Sequence, residues 1–109
     1  MILSEFVKFF EAHEEFTKSE VILEWKSGNK IVAKHYTQYE TSNEDEFPDS
    51  DNPESEVGFY EYYAICFECV SIINENEDYF IEGEVFELTP KNSPDFIKDK
   101  KENIIWTNK

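Results

Sequence analysis

The stretch VGFYEYYAICFECVSII, residues 57–73, decides the fold. Its apolar side chains fill both alternating faces: Phe59, Tyr63, Ile65, Phe67 and Ile73 on one, and Tyr60, Tyr62, Ala64, Cys66, Val70 and Ile72 on the other. Aromatic and β-branched residues dominate it, which predicts a strand buried on both faces and not a helix. The run is well over the roughly 5–6 residues of an ordinary strand, so it should bend and serve a strongly curved sheet or a closed barrel.

Working outward toward the N-terminus, EVILEWK (residues 20–26) sets Val21, Leu23 and Trp25 on one face and Glu24 and Lys26 on the other, with Ile22 the exception. This is the pattern of a half-buried strand. Ser27-Gly28-Asn29 supplies turn chemistry before an extended pattern from Ile31 to about Tyr39, which predicts a hairpin. Gly28 and Asn29 are the residues best able to take positive φ there. Upstream, residues 2–16 read as a helix, because Ile2, Phe6, Phe9, His13 and Phe16 recur at helical spacing with Leu3, Val7 and Phe10 widening the stripe. Ser4 is the candidate N-cap, and His13 near the C-terminus suits the helix dipole in a structural role.

On the other side, Asn74–Asp78 is a polar turn and Tyr79–Thr89 a fourth strand whose apolar phase slips from Tyr79 and Ile81 to Phe86 and Leu88. A β-bulge at Gly83 would reconcile the halves. Pro90 and Pro94 lead through a mixed loop, and NIIWT (103–107) supplies a last short strand carrying Trp106. The fold class expected is mostly β (α+β): an N-terminal helix followed by a five-stranded antiparallel, strongly bent sheet or small SH3/Sm-like barrel. At 109 residues the chain is expected to be one domain. Ten Phe, six Tyr and two Trp predict an aromatic-rich core, with Trp25 and Trp106 both substantially buried.

The formal charge of −15 is unevenly placed. Residues 1–34 carry a net −1 and residues 91–109 a net +2, whereas residues 35–90 hold sixteen acids and no lysine or arginine. Within that segment, residues 40–56 (ETSNEDEFPDSDNPESE) hold eight acids, two prolines and one aromatic. So few apolar groups cannot offset the entropy of ordering, which makes this stretch a long acidic loop, ordered or mobile. Such a field repels nucleic acid and anionic membrane and attracts basic protein surfaces; the plainer alternative is a solvated face that only keeps the protein in solution.

Chemical signatures are weak. Cys66 and Cys69 form a C-x-x-C, but on a strand residues three apart face opposite sides and no second pair exists, so packing cysteines are expected and not zinc or redox chemistry. Asp49 and Asp51 have the alternation of a calcium loop, broken where Pro53 and Glu54 replace a ligand and the glycine. No nucleophile elbow accompanies the two histidines. No catalytic residue, cofactor or metal is therefore assigned. The N-terminus carries acids through its apolar run, unlike a secretory signal, and no stretch approaches ~20 apolar residues, so the protein is expected to be cytoplasmic with no membrane partner.

Residues 21–36, VILEWKSGNKIVAKHY, resemble the first motif of Sm-like and SH3-like small barrels. Val21, Leu23 and Trp25 precede Gly28, Ile31 follows three residues later, and Ala33 stands where the Sm pattern has glycine. The resemblance implies a barrel fold. It implies no RNA-binding residues, because TQYETSNED lacks the Asp and Asn nucleotide signature and the second motif's Arg-Gly pair has no counterpart.

What remains is acidity interleaved with aromatics, a combination suited to protein recognition because tyrosines make hot spots and carboxylates steer basic partners. The candidate partner-binding residues are Glu44, Asp45, Glu46, Phe47, Asp49, Asp51, Glu54, Glu56, Tyr60 and Tyr62. The expected function is a non-enzymatic, acidic protein-binding module of inhibitor or immunity type that masks a basic nucleic-acid-binding or nuclease partner and does not bind nucleic acid itself. An Sm/SH3-like adaptor and a carboxylate-site enzyme are the alternatives.

Overall fold

The computed structural model describes residues 5–75, 80–89 and 91–108. Helix α1 (Glu5–Ala12) is followed by a 3-10 turn at Glu14–Thr17, then strands β1 (Glu20–Glu24), β2 (Lys30–Ser42), β3 (Glu61–Asn74), β4 (Val85–Leu88), β5 (Phe96–Lys98) and β6 (Ile104–Thr107). The strands form one antiparallel sheet in the order β4-β3-β2-β1-β5-β6. The mostly β, α+β class with a leading helix is thus the observed one. The count is six strands among the described residues, and the sheet stays open, with β4 and β6 as its edges, where the sequence suggested five strands or a barrel.

The added strand is β5, hidden in the mixed loop because only Ile97 of its three residues is fully buried. Ile97 pairs with Leu23, so β1 is flanked on both sides and its apolar run is an interior strand. The helix ends earlier than predicted, at Ala12. Glu11, Glu14 and Glu15 crowd the negative pole of the helix dipole, no basic residue stands in the last turn, and His13 leaves helical geometry (φ −131, ψ 67). The expectations for Ile2, Leu3, Ser4, Pro90 and most of the turn over 74–78, with Tyr79 after it, lie outside the described residues.

Trp25 N–H donates to the Asn29 carbonyl at 2.9 Å, closing the β1–β2 turn, and Gly28 takes the positive φ of 105 that a side chain would resist. Strand β3 begins at Glu61, and its register with β2 skips Val70: Ala33 faces Cys69 while Val32 faces Ser71. The extra residue reverses the alternation. Ile72 consequently packs against the core and Ile73 is exposed, the opposite of a strict period of two. The fourth strand shrinks to Val85–Leu88; Gly83, at φ 88, sits in a turn where its N–H donates to Cys69 O at 2.7 Å, and Phe80, not Ile81, is the buried residue before it.

One face of the sheet carries the core. Phe6, Val7 and Phe10 descend from α1 onto Leu23, Ile31, Ile65, Phe67 and Ile97, all buried. Phe10 meets Phe67 edge-on at 5.2 Å and Phe6 meets Trp106 at 5.6 Å. Trp25 and Trp106 are partly buried, packed against this cluster. Among the described residues no helix packs on the opposite face. Around β1 it carries a charge ladder, in which Lys98 reaches Glu24 at 3.1 Å, Lys100 reaches Glu20 at 2.9 Å and Lys30 pairs with Glu102, while Ile22, in register with Val32 and Lys98, is buried. Among the described residues no helix is long and apolar enough to cross a membrane.

Candidate functional site

Strands β2 and β3 outrun their neighbours: β1 pairs only with Lys30–Lys34 of β2, whereas the β2–β3 ladder continues to Ser42 and Glu61. Their far end, with the connection between them, holds most of the predicted site residues. Asn43 pins this connection. Buried at 7% exposure, it donates through Nδ2 to Glu46 Oε2 (2.7 Å) and to the Gly58 carbonyl (2.9 Å), and its Oδ1 accepts the Tyr60 N–H at 2.8 Å. Single 3-10 turns at Glu44–Glu46 and Pro53–Ser55 fold the rest. Asn43→Ala should strip three partners at once and cost about 1–3 kcal/mol, with hydrogen exchange accelerated across residues 43–60 and little changed in α1. Uniform acceleration along the chain would count against a local pin.

The carboxylates divide into two groups. A cleft of 270 Å³ is lined by Glu40, Glu44, Glu54 and Glu61 with Thr41, Ser42 and Phe59. A second, of 300 Å³, is lined by Glu46, Phe47, Pro48, Asp49, Ser50 and Glu56. Asp45 and Asp51 line neither, although both are exposed. Glu46 is tied to Lys91 Nζ at 2.7 Å, and this bond, followed by that from Asn43, holds its carboxyl below the usual range. Glu56 accepts from Ser50 Oγ at 2.8 Å. Both are therefore structural as well as acidic, whereas no ion pair occupies Glu44, Asp45, Asp49, Asp51 or Glu54 among the described residues. Phe47 is half-buried against Gly58, 3.9 Å from where a Cβ there would stand, so it anchors its own loop.

Tyr60 and Tyr62 lie 5.6 Å apart, with Lys91 over the Tyr60 ring. Register places Tyr62, Ala64 and Cys66 of β3 beside Thr41, Tyr39 and Thr37 of β2 on the face away from α1, and Glu87 of β4 opposite Cys66. Glu87 joins the group by accepting the hydroxyls of Tyr39 and, at 3.3 Å, Tyr62. The hydroxyl bond to Glu87 pushes Tyr39 well above the ordinary tyrosine range, and burial followed by the Glu87 charge pushes Tyr62 up to about 12. A tyrosine raised in the fold lends stability that is complete below the unfolded value of ~10 and is lost as pH climbs through the folded one. Stability should therefore fall between about pH 10 and 12. Tyrosinate absorbance should show two of the tyrosines titrating late, and Tyr39→Phe should flatten the loss; titration of every tyrosine near ~10 would refute it.

Cys66 belongs to this outer face and Cys69 to the core cluster, so the C-x-x-C thiols diverge; burial raises both above the usual thiol range. Among the described residues no group of three or more histidine, cysteine, aspartate or glutamate side chains is arranged to hold a metal ion. Sequence reading missed Asn43, Glu61, Glu87 and Lys91, and left Glu40 and Tyr39 outside the site. Only the polar S-N-E-D turn hinted at the first.

A family model described as cognate immunity protein YxxD matches residues 3–109. The chain belongs to this family. Comparison with curated proteins and with solved structures returned no match. Membership in the cognate immunity protein YxxD family covers nearly the whole chain, including both the helix-backed core and the acidic hairpin end, whereas the Sm-like resemblance spans only residues 21–36 and meets an open sheet. The immunity-type character read from charge and aromatics thus agrees with the family.

Proposed function

We propose that this chain is a non-enzymatic immunity protein that neutralises a cognate toxin in the cytoplasm by covering the toxin's basic, nucleic-acid-binding surface with the acidic end of the β2–β3 hairpin. The observation that carries the reading is the set of exposed carboxylates at that end, free of ion pairs among the described residues, in a chain that belongs to an immunity family. Glu44 and Glu54 face one cleft and Asp49 the other, and carboxylates gathered at one end offer a basic nucleic-acid-binding surface the negative charge that phosphates otherwise supply. The hairpin stiffens the array, since Asn43, Lys91 and Ser50 hold the backbone that bears it.

Protection in cells is the test. The protein encoded by the adjacent gene is expressed with and without this chain; relief of growth arrest together with a purified one-to-one complex supports the reading, and arrest unrelieved by the chain refutes it. The chain alone should leave RNA and DNA unshifted on a gel at about 150 mM salt, because the field of residues 35–90 opposes a polyanion. Micromolar nucleic-acid binding would point to a different function.

A further inference from the structure

We infer that Glu87, together with the rings of Tyr39 and Tyr62, forms a receiving site for an arginine side chain of the cognate partner, on the outer face of the sheet beside the acidic loop. This rests on the reading above and names the chemistry recognised. Each Glu87 oxygen accepts one hydroxyl, Oε2 from Tyr39 and Oε1 from Tyr62. A carboxylate oxygen has two acceptor positions, so, among the described residues, each keeps one for an N–H group of a guanidinium.

The surroundings favour a planar cation. Ala64 and Cys66, beside these tyrosines, are at 0% and 7% exposure, although among the described residues no helix packs on this face; Tyr39, at 41% exposure, presents its ring to solvent, and Tyr62, at 9%, is a buried wall that offers Glu87 its hydroxyl. Guanidinium stacks on such rings and is weakly hydrated, whereas an ammonium offers neither a fork nor a plane. The charge is complementary as well. Among the described residues no lysine forms an ion pair with Glu87, Asp45 lies near enough to Tyr62 to act on it electrostatically, and Lys91 is engaged by Glu46 and the Tyr60 ring. Farther along the same face the lysines of the β1–β5 ladder are matched by Glu20, Glu24 and Glu102, so the unmatched acid lies at the tyrosine end.

The test is an amide NMR titration of the full chain with two end-blocked peptides of equal length, one arginine-rich and one lysine-rich. Arginine should move the signals of Tyr39, Tyr62, Cys66 and Glu87 and bind about tenfold more tightly than lysine. Glu87→Gln, which keeps acceptor and shape but loses the charge, should bring arginine down to the lysine level. Should that variant lose its fold, Tyr39→Leu, which removes a ring and leaves the carboxylate, should give the same loss. Equal binding of both peptides, shifts confined to residues 44–56, no binding, or full binding by these variants would overturn the assignment. Failure here is separable from failure of the function. A toxin captured undiminished by Glu87→Gln defeats the arginine site alone, and a toxin never captured by the wild-type chain defeats the function while the peptide result stands.

Discussion

Replacing Phe67 with alanine is expected to destabilise the fold by about 3–5 kcal/mol, the range for removing a large ring from a packed core. Phe67 is at 0% exposure and is enclosed by Phe10 at 5.2 Å, Phe6 at 5.9 Å, His35 at 5.8 Å and Phe86 at 6.4 Å. Those neighbours come from α1, β2 and β4. The cavity therefore opens where the helix meets the middle of the sheet, and no single element can close it by shifting. Urea denaturation should show a lower midpoint at unchanged slope. A melting temperature lower by about 4–8 °C for each kcal/mol lost should accompany it. The partly buried Trp25, which rests on Phe80 at 5.2 Å, should cost less when truncated, because less of its surface is removed from water. A loss below about 1 kcal/mol for Phe67→Ala would mean that α1 is not seated on β3 as described.

Why Phe67 could be singled out shows what the sequence makes legible. Alternation and helical spacing identified α1, the β1–β2 hairpin and the central strand, since each buries a stripe at its own period. Three features escaped that logic. The phase of Ile72 and Ile73 depends on Val70 being skipped in the register, which is a property of two strands and not of one. Strand β5 has a single fully buried residue, too few to show a period. Glu87 meets Tyr39 only because Cys66, between them, pairs with Glu87 on one side and lies next to Ala64, the partner of Tyr39, on the other. The acids of residues 44–56 were legible from composition. What holds them, Asn43 and Lys91, was not, because both act across long gaps in the chain.

Neutralising Glu44, Asp45, Asp49, Asp51 and Glu54 together, by Asn or Gln, should slow association with the cognate partner by about tenfold or more at low salt, and should flatten the dependence of that rate on ionic strength. These five are chosen because they are exposed and hold no ion pair among the described residues, whereas Glu46 and Glu56 brace the loop through Asn43, Lys91 and Ser50 and are left in place. Exposed charges act over about 8–10 Å in ordinary buffers, so their loss changes the encounter more than the final contacts, and the dissociation rate should move little. Folding should be unharmed. A chain of net charge −15 is relieved of like-charge repulsion when five acids are removed, so the melting temperature should hold or rise slightly. Stopped-flow association at several salt concentrations reads the first effect and calorimetry the second. If the variant unfolds, the loop is part of the fold's foundation and the carboxylates are its braces. If it folds and associates as fast as the wild-type chain, with the same salt dependence, the acidity of residues 44–54 serves only to keep the chain dispersed, and the contact with a basic partner must be sought elsewhere on the molecule.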